Sequence, residues 1–167
     1  MNPVRLKTAS AQSGSGTPAR GLRVLQLTDT HLYADPNACL MGLNTLDCLE
    51  RLLELAQRSF WPADMLLLTG DLVHDGSRLG YRRLAQRLAH LGVPAYSLPG
   101  NHDDPGTLAA LLNQGQLRCI DSVRAEHWNF VFLDSTVPGV DGGYLGPGAL
   151  ATLERCLRQH PAAPTLV

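Results

Sequence analysis

VPAYSLPGNHDDPG (Val93–Gly106) is an apolar run that stops at a Pro-Gly pair, sets out one Asn, one His and two Asp, and reaches a second Pro-Gly. Val93–Gly100 is short and apolar and reads as a buried strand, with Pro94 tolerable only at its start. A short helix is expected over Pro105–Asn113. The same grammar precedes it. RVLQLTD (Arg23–Asp29) and DMLLLTGD (Asp64–Asp71) are apolar runs closed by polar turn residues, and both read as buried strands. HWNFVFLDS (His127–Ser135) is a fourth, rich in aromatic and β-branched residues, and the closing PTLV looks like the opening of a fifth.

Helical periods fill the gaps. Asn44 is placed to cap a helix running to about Arg58, with Leu46, Leu49, Leu52, Leu53 and Ala56 as its apolar stripe. Ser77 opens another, with Tyr81, Leu84, Leu88 and Leu91 on one face and Gly92 closing it. A last helix is expected from about Pro147 to His160, stopped by Pro161. Strand then helix, repeated, predicts an α/β fold.

The bulk numbers bound the function. The 167 residues suffice for one domain with a real core. A net charge of -1 argues against a nucleic-acid footprint or an anionic membrane surface. No apolar run approaches the roughly 20 residues of a membrane helix. The four cysteines (Cys39, Cys48, Cys119, Cys156) are scattered without a CxxC pair and read as reduced, mostly buried thiols. That fits a cytoplasmic protein. Residues 1–20 contain basic and small polar residues but no apolar signal core, and are expected to be a flexible tail before a domain spanning 21–167.

In open α/β folds ligands gather outside the carboxyl ends of the strands. Asp29 and His31 follow the first strand, Asp71 the second, and Asn101 and His102 the third. Two carboxylates brought together without a cation would repel and be driven toward protonation. A metal resolves this, and mixed Asp, His and Asn donors suit Mn, Fe, Zn or Co. Gly70 and Gly100 each precede a candidate ligand, where the chain must turn sharply and come close.

These residues resemble the calcineurin-like metallophosphoesterases, whose pattern is D-x-H, G-D and G-N-H-[DE] at successive strand ends. Here the pattern reads DTH (Asp29–His31), GD (Gly70–Asp71) and GNHD (Gly100–Asp103), in that order. LQLTDTHL, GDLVHDGS, YSLPGNHDD and FLDSTVPGVDGGYLGPGALATLERCL further resemble the class III cyclic-nucleotide phosphodiesterase branch. The resemblance covers about residues 22–167. It implies an αββα sandwich of two mixed sheets flanked by helices, the second sheet incomplete in this chain. It also implies two divalent ions, manganese or iron foremost. Asp29 and His31 would bind one ion and Asn101 the other, with Asp71 bridging. A hydroxide bridging the metals would attack phosphorus, and His102 would stabilise the transition state or protonate the leaving group. The implied reaction is hydrolysis of a phosphodiester, a 3′,5′-cyclic nucleotide such as cAMP, as a small-molecule substrate. The rivals are another phosphoester substrate and a non-catalytic binding or regulatory domain of the same fold.

Relatives of this kind continue past the last strand to a metal-binding His and a G-H-x-H motif, whereas no histidine follows His160 here. The expectation is therefore the N-terminal part of a longer domain, with fewer ligands for each ion and weaker binding as a result. Asp103 either supports His102 or a ligand, or caps the helix after Pro105. Where several relatives carry an Asp that supports the catalytic His, this chain has His74, with Asp75 one residue later; loop solvation is the plainer reading for both. His90 and His160 belong at helix C-termini, where a partly charged imidazole meets the dipole favourably. His127 matches no motif, and Asp134 is expected to fix a turn.

Overall fold

In the computed structural model, Val4–Arg5 and residues 21–167 are described. Apart from Val4–Arg5, the expected tail over 1–20 lies outside the described residues. The chain divides into two compact units. One comprises Arg23–Cys119 and Asp134–Tyr144. The other contains Ile120–Leu133 and Leu145–Val167 together with Val4–Arg5.

The first unit is built on a four-stranded sheet of β2 (Val24–Leu27), β5 (Met65–Thr69), β6 (Ala95–Leu98) and β7 (Leu117–Arg118), in that spatial order and parallel throughout. Helical crossovers make parallel pairing the natural outcome. They are α1 (Thr45–Ser59), α2 (Arg78–Ala89) and α3 (Pro105–Leu112). A two-residue antiparallel pair, β3 (Cys39–Leu40) and β4 (Leu43–Asn44), leads into α1. β5 is covered on both faces, as its unbroken apolar sequence requires. Met65, Leu66 and Leu68 are fully buried, each side chain contributing roughly 1.5–3 kcal/mol. Leu66 and Leu68 join Leu27 of β2, Leu49 and Leu53 of α1, Tyr81, Leu84 and Leu88 of α2, and Leu108 and Leu112 of α3 in one core.

Capping follows the sequence reading closely. The Asn44 side chain accepts from the Asp47 N–H at 2.9 Å, and the Ser77 hydroxyl from the Gly80 N–H at 3.1 Å. One stripe residue departs from expectation. Leu52 of α1 is 44% exposed and lines a recess with Leu40, Met41 and Leu43 of the β3–β4 hairpin.

The second unit holds a mixed sheet ordered β1 (Val4–Arg5), β8 (Ser122–Ala125), β9 (Trp128–Val131) and β10 (Thr165–Leu166). β8 and β9 pair antiparallel and the two outer pairings are parallel. The strand expected over His127–Ser135 narrows to Trp128–Val131, since its partner ends at Ser122, opposite Val131. The last helix, α4 (Pro147–Gln159), starts and stops at its prolines and carries an Arg155–Asp121 ion pair at 2.5 Å. All four cysteines are free, yet only Cys156 is buried, while Cys39 and Cys48 are exposed. The expectation of mostly buried thiols is corrected accordingly. Cys39 lies on the solvated hairpin and Cys48 on the outer side of the adjoining helix turn. Among the described residues, no helix is long and apolar enough to cross a membrane.

Candidate metal centre

β2 and β5 run in register to Leu27 opposite Leu68, and their chains stay bonded beyond the sheet. The Asp29 N–H donates to the Gly70 carbonyl at 3.1 Å, the His31 N–H to Asp71 at 2.9 Å and the Leu32 N–H to Leu72 at 3.0 Å. To hold this path, Asp29, His31 and Asp71 adopt φ values of 56°, 41° and 51°. Side-chain-bearing residues seldom take this left-handed conformation, and each costs roughly 1–3 kcal/mol unless its surroundings enforce it. Three of the residues singled out by sequence therefore carry the strain of the turn.

Asp103 supplies part of that enforcement. Its buried carboxylate accepts from the backbone N–H of Leu72 (3.1 Å), Val73 (2.9 Å) and Gly100 (2.8 Å), and from the Tyr81 hydroxyl (2.9 Å). One side chain thus ties the turn after β5 to the turn after β6. The helix cap falls one residue later, where Asp104 accepts from the Thr107 N–H at 2.6 Å. Hydrogen bonds from the Thr107 side chain and then its backbone N–H hold the Asp104 carboxyl below its ordinary range. Burial, then the Asp103 charge beside it, pushes the Tyr81 phenol well above its ordinary value. It stays a proton donor. Sequence reading placed Tyr81 on an apolar face only; its hydroxyl role carried no local signal.

The donor atoms converge. His31 Nε2 lies 3.8 Å from Asp29 Oδ1 and 3.8 Å from Asp71 Oδ2, and these groups present ligand atoms within 4.8 Å of one another. The remaining oxygens are already engaged. The Thr28 hydroxyl donates to Asp29 Oδ2 at 2.6 Å, and the His102 N–H to Asp71 Oδ1 at 3.1 Å. Two carboxylate oxygens and one imidazole nitrogen facing a common point make a donor set that suits a borderline divalent cation. The residues fit a metal ion.

Gly100 makes the close approach expected of it, because a Cβ there would collide with the carboxylate and amide of Asp71. Gly70 turns with φ of 95°. Asn101 is exposed and lines a cleft of about 260 Å³ with Thr28, Asp29, Asp71, Thr136 and Asp141. Its Nδ2 stands 3.4 Å from Asp141 Oδ1.

His102 is exposed, its ring edge-on to His31 at 5.1 Å between centroids. His74 enters the site where loop solvation was the plainer reading. Its ring stacks on His102 at 4.3 Å, and its Nδ1 meets His31 Nδ1 at 3.2 Å. Burial, followed by the neighbouring His102 and His31 rings, lowers its pKa. Were His31 Nε2 to hold an ion, its ring proton would sit on Nδ1 and would donate to His74 Nδ1.

Asp75 points elsewhere, accepting from the Ala34 N–H at 3.0 Å and the Ser77 N–H at 3.1 Å. Asp134 fixes its turn, accepting from the Thr136 N–H at 2.8 Å and hydroxyl at 2.7 Å. His90 and His160 stand at the C-termini of α2 and α4.

Comparison with known proteins agrees with this geometry. The chain is 37% identical over 147 residues to the 3′,5′-cyclic adenosine monophosphate phosphodiesterases CpdA of Haemophilus influenzae and Escherichia coli, covering 87% of this chain and 54% of each relative. It is 34% identical over 146 residues to a 3′,5′-cyclic-nucleotide phosphodiesterase of Nostoc, covering 87% and 55%. The chain thus spans about half the length of the curated relatives it matches. A family model described as calcineurin-like phosphoesterase matches residues 22–160. Motif order, strand-end donors and this match together show that the chain belongs to the calcineurin-like phosphoesterase family.

Proposed function

We propose that this chain carries residues of a metal-dependent phosphodiesterase centre acting on 3′,5′-cyclic nucleotides, cAMP among them. The observation that carries the reading is the convergence of Asp29 Oδ1, His31 Nε2 and Asp71 Oδ2 on one point, held by strained backbone. The relatives named as cyclic-nucleotide phosphodiesterases support the substrate class.

Asp29, His31 and Asp71 would hold one ion and Asn101 a second, with Asp71 shared; manganese or iron suits the set. Bound divalent ions supply Lewis acidity to phosphoryl oxygens and lower the pKa of water. The protein's own contribution is positional. Thr28 and the His102 amide fix the carboxylates, and His74 fixes the His31 ring. His102, exposed and edge-on to the His31 ring, would stabilise charge on the phosphoryl group or give its proton to the departing alkoxide.

The test measures bound metal and hydrolysis of cAMP and bis(p-nitrophenyl) phosphate by the protein and its His102→Ala variant. The variant is expected to lose about 10²–10⁴ in turnover and keep its metal. Equal loss of metal would make His102 a ligand. Hydrolysis of the synthetic ester alone would remove the cyclic nucleotide from the reading. No metal at saturating manganese would favour a non-catalytic binding domain.

A further inference from the structure

The β3–β4 hairpin (Cys39–Leu40 and Leu43–Asn44) turns through Met41 and Gly42, both with positive φ, 50° and 82°. A two-residue turn of this hand normally takes Asn-Gly or Asp-Gly, because a longer side chain is strained at its first position. Met41 accepts that strain while 97% exposed, so it recovers nothing from packing. Leu43 beside it is 63% exposed, and Leu52 of α1 is 44% exposed.

These apolar groups are not scattered. Leu40, Met41, Leu43, Cys48 and Leu52 line one side of a recess of about 280 Å³, and Thr28, Asp29 and His31 form another part of its wall. Thr28 and Asp29 also line the polar cleft that contains Asp71 and Asn101. The apolar recess and the metal cleft therefore share a wall, and that continuity identifies the occupant. A molecule whose phosphodiester reaches Asp29 and Asp71 has its next group beside the hairpin. The volume, at the lower end of ligand pockets, suits a single ring system. The thioether of Met41 and the thiol of Cys48 are soft partners for an aromatic face.

We propose that this recess is the base subsite, in which the planar heteroaromatic ring of the substrate lies against Met41, Leu43 and Leu52. The inference rests on the phosphodiesterase reading above and adds the element that selects a nucleotide over a simple phosphodiester.

The chain's three methionines make the test direct. Met41 lies at the recess and Met65 in the core, fully buried. The protein, labelled with ¹³C-methyl methionine and loaded with zinc, is titrated with adenosine and, separately, with inorganic phosphate. Adenosine is expected to shift the Met41 methyl saturably and leave Met65 in place. Leu52→Gln should weaken that binding about tenfold through lost apolar contact, with an unmoved Met65 signal showing that the core is intact. An unmoved Met41 while calorimetry still detects phosphate would overturn the subsite and leave the phosphoesterase reading standing. Absence of both would bring down the two together. A Met41 shift that follows protein concentration without nucleoside would make the recess a self-association surface and overturn the subsite.

Discussion

Left-handed backbone at residues that carry a side chain occurs at Asp29, His31, Met41 and Asp71 in the first unit and at Glu126 in the second, and it arises in two ways. Glu126 sits in the two-residue turn joining β8 to β9, exposed, where hairpin twist itself asks for positive φ. Met41 is likewise a hairpin-turn residue, whereas Asp29, His31 and Asp71 lie outside any hairpin: Asp29 and His31 donate to the Gly70 and Asp71 carbonyls, and the buried Asp103 carboxylate accepts from the N–H groups of Leu72 and Val73 just beyond Asp71. Buried polar groups divide the same way. Asp103 is saturated with donors, whereas Asn129 Oδ1 and His160 Nε2 in the second unit are buried without a partner among the described residues. Strain at a functional turn persists when a satisfied network over-determines it. Where the backbone is relaxed, a polar group can go unpaired without displacing anything that matters to the site.

Removing Asp103 should break this comparison most severely. Asp103→Ala leaves three backbone N–H groups and the Tyr81 hydroxyl without their acceptor, at an expected cost of about 3–5 kcal/mol. Urea unfolding of variant and parent measures it, with hydrogen exchange at Leu72 and Val73 as the local readout. A loss under about 1 kcal/mol would mean that the turn does not depend on the network. Next in size is Gly100→Ala. Its new Cβ falls on Asp71, so Asp71 must move, with roughly 1–3 kcal/mol of overpacking and loss of bound metal. Metal analysis at saturating manganese checks this, and retention of full occupancy would show that the close approach is not required.

Much of the first unit was legible because its signals are local. Apolar runs closed by TD, TGD and LPG marked β2, β5 and β6, and Asn44, Ser77 and the prolines marked helix ends. Of the strand-end residues taken in chain order, Asp29, Asp71 and Asn101 line the cleft and His31 lies 3.8 Å from both carboxylates. What stayed hidden depends on contacts far apart in sequence. Nothing near Asp103 announces that its partners are Leu72, Val73 and Tyr81. His74 reads as a loop residue until β2 and β5 place it against His31. The β3–β4 hairpin, two residues to a strand with Met-Gly at its turn, carries no alternation and no favoured turn pair. β7 and β8 were missed for the same reason, being short and mixed in polarity. Their pairing is set by neighbouring strands rather than by their own composition.

A smaller effect is expected at Asp75. Burial alone would raise its pKa, yet hydrogen bonds from the Ala34 and Ser77 backbone lower it overall. A carboxyl with a folded value below its unfolded one stabilises the protein above the ordinary carboxylate range, and that stabilisation fades as pH falls through the lowered value. Asp75→Asn should therefore flatten the acid limb of the stability–pH curve and leave the neutral plateau nearly unchanged. A variant curve parallel to the parent's in acid would remove Asp75 from the linkage.

The smallest change tests the opposite side of the comparison. Asn129 is 1% exposed, and its Oδ1 has no partner. Its Nδ2 reaches Thr165 Oγ1 only at 3.4 Å, while that hydroxyl also donates to the Ala163 carbonyl at 3.2 Å. Replacing Asn129 by leucine removes an unpaired acceptor and leaves Thr165 its other bond. The backbone N–H of residue 129 keeps its bond to the Pro164 carbonyl. The outcome expected is neutral to about 1 kcal/mol stabilising, read from the same urea curves. A loss of several kcal/mol would mean that Asn129 satisfies a group in the second unit as Asp103 does in the first, and the contrast between the units would rest on backbone strain alone.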